Sequence, residues 1–166
     1  MEQKFAKISE SLTEDLVDCQ ADTFLDKNEL FSNMAQMLLQ AGRIMEKDAF
    51  LQALYQREDT GSTYMGNGIA LPHGKSDTVT EPTVAFCRCK NAFPYESDGE
   101  TGEVDLIFML AIPKATETNE YLRVLANLSR LLVHEDFVAS LRKAPDFFAL
   151  KSAVQQYEQK LDSKSS

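Results

Sequence analysis

One apolar run constrains the fold of this chain more than any other feature. Residues 104–112, with the sequence VDLIFMLAI, are almost entirely apolar, and Pro113 ends the run. A strand that is apolar on both faces needs cover above and below, which helices provide in layered α/β proteins. Residues 83–87 and the shorter segment 69–71 are also typical of strands. The sequence therefore predicts a sheet covered by helices.

Helical spacing is clear elsewhere in the chain. Five apolar stripes predict helices, the first beginning near Lys27: Leu30, Phe31, Met34, Leu38 and Leu39; Phe50, Leu51, Leu54 and Tyr55; Tyr121, Val124, Leu125, Leu128, Leu131 and Leu132; Phe137, Val138 and Leu141; and Phe147, Phe148, Leu150 and Val154. The order of helices and strands indicates one layered α/β domain over residues 1–160, with a frayed tail at 161–166. Residues 97–103 are predicted to form a surface loop between the two longer strands.

Charge and apolar run lengths limit the partners and the location. The 166 residues include 26 Asp and Glu against 17 Lys and Arg, a formal charge of −9. This excess repels nucleic acid and anionic membranes and favours basic protein partners. No signal-peptide core and no run of eighteen apolar residues are present, so we expect a cytoplasmic protein that does not insert into a membrane.

The three cysteines do not indicate a disulfide framework or a zinc site. The number of cysteines is odd, and no CxxC spacing occurs among Cys19, Cys87 and Cys89. The chain has only two histidines that could complete a zinc site. Cys87 and Cys89 are two residues apart, so both point to the same face if they lie on a strand. We expect buried, reduced thiols.

The stretch GNGIALPHGKS at residues 66–76 ends like a phosphate-binding loop but does not have its pattern. That loop needs four residues between its first glycine and Gly-Lys-Ser/Thr, whereas Gly68 and Gly74 enclose five. Pro72 has no N–H to offer a phosphate. The preceding residues also do not form a buried strand. Spacing, chemistry and context all argue against nucleotide binding.

The same stretch presents His73 in a rigid setting. Four of the seven glycines fall between residues 61 and 74, which indicates sharply turning backbone. Pro72 restricts the preceding residue to an extended shape. We expect His73 at the end of a short strand, before a glycine that lets the chain turn away, near the edge where α/β proteins place their sites. Spacing alone leaves both a structural and a functional histidine open.

Residues 57–74, REDTGSTYMGNGIALPHG, resemble a known signature. It belongs to the enzyme IIA domains of the fructose, mannitol and nitrogen-regulatory class of the bacterial phosphoenolpyruvate-dependent phosphotransferase system. The matching positions are Arg57, Glu58, Thr63, Gly66, Gly68, Ile69, Ala70, Pro72 and His73. The similarity continues through the strand ending at Pro113 and the segments YLRVLANL and DFVASL, and it spans roughly residues 10–150. The resemblance implies a single three-layer domain with a mixed central sheet and helices on both faces.

The resemblance also implies a phosphoryl carrier. His73 would accept the group from the histidine carrier HPr and pass it to a IIB domain, with no metal or cofactor. A neutral imidazole is nucleophilic near pH 7, and we expect this one to be open to solvent. Arg57 matches the arginine that stabilises phosphoryl charge, although an arginine at a helix end can also be a surface residue.

Several further residues are weaker candidates at the site. Thr63, Asn67 and Gly68 are candidate hydrogen-bond donors to the phosphoryl group, and Lys75 is interpreted as a solvated charge at the rim.

One position departs from the pattern of the resembled family. A second histidine commonly opens the helix after the last strand, and here Tyr121 stands in its place. A phenol can donate a hydrogen bond but carries no charge at pH 7. Tyr121 also continues an apolar stripe, so packing and participation both stay open. His134 lies thirteen residues downstream and is expected in a loop.

Three functions remain in competition. The first is a IIA carrier that serves a sugar or polyol transporter and docks on its membrane component, IIC. The second is a regulatory IIA protein that signals by its phosphorylation state. The third is a hydrolase that uses Cys87 or Cys89 with His73, for which no activating arrangement is visible in the sequence.

Overall fold

The computed structural model describes residues 7–97 and 100–165. The helices and strands are, in chain order, α1 (Ile8–Ser11), β1 (Val17–Ala21), α2 (Lys27–Gln40), α3 (Lys47–Glu58), β2 (Tyr64–Gly66), β3 (Ile69–Ala70), β4 (His73–Ser76), β5 (Thr83–Ser97), β6 (Glu100–Pro113), α4 (Thr118–Leu132), α5 (Glu135–Lys143) and α6 (Phe147–Ser165). The five predicted helices are α2 to α6. The expected tail from residue 161 overlaps the last turn of α6, and Ser166 lies outside the described residues.

Six strands form one mixed sheet around β6. The strand order is β1-β5-β6-β3-β2, and β4 also pairs with β6. The hairpin β5–β6 is antiparallel, whereas β3 and β4 run parallel to β6 and β1 runs parallel to β5. The predicted mixed sheet is confirmed.

The long apolar run is buried on both faces, as predicted. Alternate β6 side chains enter two separate cores. On one face Leu106, Phe108, Leu110 and Ile112 pack against α1, α4, α5 and α6. On the other face Ile107, Met109 and Ala111 pack against α2 and α3. These two cores make the domain three-layered.

Local sequence explains how the α2 layer starts. Asp26 is the N-cap of α2, and its carboxylate accepts a hydrogen bond from the Glu29 backbone N–H at 2.9 Å. Such a bond satisfies one of the unpaired N–H groups of a helix start. Leu30, Phe31 and Met34 then turn toward the sheet and are fully buried.

The strands β1, β2 and β4 and the short helix α1 were not predicted. They are five residues or fewer, and their sequences mix polar and apolar residues, so periodicity does not identify them. The β2–β3 hairpin did have a signal, because Asn67-Gly68 is a preferred two-residue turn. Both residues have positive φ, 57° and 79°, as a type I′ turn requires.

The predicted loop at residues 97–103 is wrong. β5 continues through Ser97 and β6 already begins at Glu100, so most of this segment is strand, while residues 98–99 lie outside the described part. The pairing of Phe93 with Val104 and of Tyr95 with Gly102 extends the ladder beyond the apolar runs. Backbone pairing therefore overrides the acidic composition.

The thiols are free and buried, as expected. Cys87 and Cys89 share the core that faces α2 and α3, which confirms that they point to one face. No helix among the described residues combines the length and apolar character needed to cross a bilayer.

Candidate functional site

His73 opens a strand rather than ending one, which corrects the prediction. β3 and β4 are two short strands that pair one after the other with β6 and are separated by Leu71 and Pro72. His73, the first residue of β4, aligns with Leu110 on β6. The chain does not turn away at Gly74, which stays in β4. A side chain at Gly74 would meet Phe50 of α3 at 3.1 Å, so close helix packing explains this glycine.

Two hydrogen bonds give the nitrogens of His73 different roles. Nδ1 lies 3.2 Å from the Leu71 carbonyl oxygen, which can only accept, so Nδ1 carries the proton. The unprotonated Nε2 then accepts a hydrogen bond from Arg57 Nε at 3.0 Å. Burial lowers the pKa of His73, and the Arg57 charge lowers it further, whereas the Leu71 bond and Glu58 act in the opposite direction. The imidazole is therefore neutral near pH 7, with Nε2 as its base.

His73 is less accessible than expected. Only 6% of the residue is exposed, so the expectation of a ring open to solvent is wrong. The Arg57 N–H also covers Nε2, which means that an incoming phosphorus reaches this nitrogen only after Arg57 moves off it.

Arg57 is held in place rather than free on the surface. It lies in the last turn of α3 and is half-buried. Its Nη1 donates to the Thr60 hydroxyl at 3.0 Å and to the Gly61 carbonyl at 2.9 Å. These anchors leave Nε directed at His73. The guanidinium is thus placed beside the nitrogen that would carry a phosphoryl group.

Tyr121 does lie next to His73. It belongs to the first turn of α4, and the two ring centroids are 5.8 Å apart. Lys75 Nζ lies 5.6 Å from the centre of the Tyr121 ring. Lys75 shares a face of β4 with His73 and is half-buried, so it lies beside the site but is less solvated than expected.

Thr63 does not aim its hydroxyl at His73. It is 6% exposed and donates to the Glu58 carboxylate, and its oxygen lies 2.6 Å from the Tyr95 hydroxyl. Glu58 also pairs with Lys27 at 3.1 Å. Sequence reasoning gave Glu58 no role, although its place beside Arg57 in the signature was a usable signal. Nothing local in the sequence pointed to Tyr95 or Lys27.

Asn67 and Gly68 lie at the other end of the β3–β4 line. Ile69 aligns with Leu106 on β6, four residues before the partner of His73, a separation of roughly 13 Å at the usual rise per strand residue. The Asn67 carbonyl accepts from Arg142 at 2.7 Å. The structure therefore does not bring this turn to the imidazole.

The thiols and the second histidine are also separate from the site. Cys87 pairs with Ile107, and β6 lies between its strand and that of His73. The Cys87 pKa is raised, first by a hydrogen bond with Cys89 and then by burial, which opposes a reactive thiolate. His134 is the N-cap of α5, with its ring 5.9 Å from that of Tyr157.

The site and the fold together define a class. A neutral imidazole with one unprotonated nitrogen, an arginine that donates to that nitrogen and a three-layer α/β frame are the parts of a histidine phosphoryl carrier. Residues 10–157 match the family described as the phosphoenolpyruvate-dependent sugar phosphotransferase system, EIIA 2. The chain belongs to this family of EIIA domains.

Similar curated proteins include fructose-specific EIIA components and nitrogen regulatory proteins. The chain is 37% identical over 111 residues to the fructose-specific EIIA component of Haloferax volcanii, covering 67% of this chain and 71% of that protein. It is 34% identical to the nitrogen regulatory protein homolog of Haemophilus influenzae, covering 83% and 84%. It is also 33% identical to the fructose-specific EIIABC component of Bacillus subtilis, but spans only 24% of that protein against 92% of this chain.

A solved structure agrees with this assignment. The crystal structure of nitrogen regulatory protein IIA-Ntr from Neisseria meningitidis superposes with a TM-score of 0.79 at 26% identity, covering 89% of this chain and 98% of that one. Mannitol IIA from Escherichia coli, at 21% identity and a TM-score of 0.71, has the same fold.

Proposed function

We propose that this chain carries a phosphoryl group on His73 Nε2, receiving it from an HPr-like carrier and passing it to a IIB domain of a sugar or polyol transporter. The observation that carries the proposal is the 3.0 Å contact between Arg57 Nε and His73 Nε2, with Nδ1 bound to the Leu71 carbonyl. We assign the carrier domain to residues 1–160 and treat residues 161–166 as a tail. We propose that the domain acts in the cytoplasm and docks on a IIC-containing transporter.

The chemistry requires no metal or nucleotide. The Nε2 lone pair attacks phosphorus, the nitrogen–phosphorus bond of the donor phosphohistidine breaks, and its electron pair stays on the donor imidazole. Nδ1 keeps its proton, which stays hydrogen-bonded to the Leu71 carbonyl oxygen. Once Arg57 moves off Nε2, its guanidinium donates to the phosphoryl oxygens, which carry the charge in the transition state.

Tyr121 and Lys75 are proposed to complete the site. The family's second histidine is replaced by a phenol with a lysine ammonium above its ring. The ammonium supplies a positive charge near the phosphoryl position, and the phenol limits the entry of water to it.

The direct test is phosphorylation by phosphoenolpyruvate, enzyme I and HPr, with the label located by mass spectrometry under conditions that preserve phosphohistidine. We expect the label on His73 and none in His73→Ala, whereas the control His134→Ala is labelled normally. Labelling of His73→Ala at the wild-type level would refute the proposal.

Arg57 variants test the contact that carries the proposal. We expect Arg57→Lys to slow transfer by roughly 10²–10³-fold, because lysine keeps the charge but loses the planar fork. Arg123→Lys, on the exposed face of α4, is a matched control and should transfer at the wild-type rate. Equal rates in wild type and Arg57→Lys would assign Arg57 to helix-end structure instead.

A regulatory role is the second candidate. It is favoured by the coverage of the Haemophilus influenzae nitrogen regulatory protein homolog, which this chain matches over 84% of that protein's length. A pull-down from lysate with unphosphorylated and phosphorylated chain separates the two functions. Capture of a IIB protein supports transport, and capture of a non-transport protein by one phosphorylation state supports regulation.

A further inference from the structure

We propose that a buried network of Lys27, Glu58, Thr63 and Tyr95, here called the Glu58 network, positions both Arg57 and His73 for phosphoryl transfer. The inference rests on the proposed function of His73. Its members are positioning residues, because they act through the loop at residues 59–63 and through Leu71.

The Glu58 network is joined by hydrogen bonds and one ion pair. Lys27 Nζ lies 3.1 Å from Glu58 Oε1, and the Thr63 hydroxyl donates to Glu58 Oε2. Because Thr63 gives its hydroxyl hydrogen to Glu58, the Tyr95 hydroxyl donates to Thr63 at 2.6 Å. Lys27 Nζ also lies 5.1 Å from the centre of the Tyr95 ring. The network thus links α2, the end of α3, the following loop and β5.

Stability alone does not account for this network. The Glu58 side chain is 5% exposed and the Lys27 side chain 15%. Tyr95 is fully buried, and burial raises its pKa, so its hydroxyl stays protonated as a donor. Removing two opposite charges from water is costly, and apolar replacements of buried pairs are often neutral or stabilising. A role in positioning Arg57 and His73 explains why charged groups occupy this buried position.

The first path leads from the Glu58 network to Arg57. Glu58 and Thr63 bind each other across the loop at residues 59–63, and the Gly61 N–H donates to the Glu58 carbonyl at 3.2 Å. This loop supplies the Thr60 hydroxyl and the Gly61 carbonyl that hold Arg57 Nη1. Fixing the loop therefore anchors Arg57 Nη1, so the guanidinium stays beside His73 when its Nε moves off Nε2.

The second path leads from Thr63 to His73. The Thr63 carbonyl accepts a hydrogen bond from the Leu71 N–H at 2.9 Å. The Leu71 carbonyl in turn accepts from His73 Nδ1 at 3.2 Å. One residue of the network is therefore joined, through backbone, to the group that selects the histidine tautomer.

The test uses the full chain with three substitutions in the Glu58 network and one control substitution. Thr63→Val removes the hydroxyl at nearly constant shape, Thr63→Ser restores it, and Tyr95→Phe removes one hydroxyl with less risk to folding. Tyr55→Phe on α3 is the matched control, because it removes a tyrosine hydroxyl that donates to Asn28 in a solvent-exposed hydrogen bond. The readouts are ¹⁵N NMR of the His73 ring in unphosphorylated protein and single-turnover transfer from phospho-HPr.

We expect Thr63→Val and Tyr95→Phe to convert His73 from a single Nδ1–H tautomer to a mixture. Transfer should slow by roughly ten- to hundredfold, because small misplacements of reacting groups reduce rates by this amount. The apparent affinity for phospho-HPr should be unchanged. Thr63→Ser and Tyr55→Phe should match wild type in both readouts.

Two results would overturn the proposal. One is a wild-type tautomer and rate in both Thr63→Val and Tyr95→Phe, with only a lower melting temperature, which would make the network structural. The other is equal slowing in Tyr55→Phe. If wild type itself takes no phosphoryl group, the proposed function fails, while the ring NMR still decides the positioning role.

Discussion

At the scale of single residues, two unequal hydrogen bonds distinguish the two nitrogens of the His73 imidazole. Its Nδ1 proton is held by a backbone carbonyl, and its Nε2 lone pair meets an arginine N–H. Burial and the neighbouring guanidinium lower its pKa from the ordinary value of 6.5. The neutral, nucleophilic form therefore persists to lower pH than in an exposed histidine.

A pH profile follows from this direction of shift. Transfer to His73 should be constant above pH 7 and fall only below pH 6.5, as the ring protonates. Between the unfolded and folded pKa the unfolded chain binds more protons, so the free energy of unfolding should fall as the pH drops through this range. Denaturant titrations of wild type and His73→Gln measure it. An acid limb above pH 6.5 would contradict the shift.

Substitutions at Tyr121 separate a packing role from a role in phosphoryl transfer. Tyr121 is partly buried and packs against the core under α4, and its ring centroid lies 5.8 Å from that of the His73 ring. We expect Tyr121→His to change the transfer rate, because an imidazole can carry charge there, and Tyr121→Phe to retain the packing. Single-turnover rates of the two variants give the answer. Identical rates in wild type and both variants would make Tyr121 a packing residue alone.

At the scale of elements, the β2–β3 hairpin sets where the β3–β4 line begins. Its turn residue Gly68 has φ of 79°, and an added Cβ would lie 2.5 Å from Arg142 and 2.7 Å from Asp105, which form an ion pair. Gly66 has φ of 88° but nothing within 4 Å of its added Cβ. Both glycines therefore adopt the left-handed backbone conformation, but only at Gly68 would an added side chain collide with its neighbours.

Alanine at these two glycines should separate strain from collision. Gly66→Ala should cost about 1 kcal/mol of unfolding free energy, from the left-handed backbone. Gly68→Ala should cost more, because the Arg142 and Asp105 side chains must also move. Chemical denaturation measures both, and transfer rates of the folded variants should be unchanged. Equal costs would show that the ion pair yields without penalty.

At the scale of the whole molecule, alternate side chains of β6 enter two cores that lie on opposite faces of the sheet. Arg57 comes from the layer of α2 and α3, while Tyr121 comes from α4 on the opposite layer. The site is therefore formed where both layers reach β4 at the edge of the sheet.

The buried thiols report on the opening of this structure. Cys19, Cys87 and Cys89 are at most 9% exposed, and burial raises the pKa of Cys19. We expect all three to react with a thiol reagent only as fast as the domain opens, with strong acceleration in denaturant. Fast labelling of one thiol in native protein would contradict this and favour a reactive cysteine.

Sequence reasoning identified the long helices and the buried central strand because their side-chain periodicity is intrinsic to the chain. It paired His73 with Arg57 only through the resemblance to a family, since sixteen residues separate them and no periodic pattern connects them. It missed β1, β2 and β4, which are strands because neighbours supply their hydrogen bonds. Asn67 and Gly68 were misplaced because their turn was not recognised.

The sequence by itself determined the five helices α2 to α6 and the strand that is buried on both faces, since these depend on the local pattern of apolar residues. Tertiary structure alone decided the tautomer of His73, the direction of Arg57 and the burial of Glu58 with Lys27 and Tyr95. Those features depend on distances between residues far apart in the chain, and only the packing of both helical layers on the sheet sets such distances.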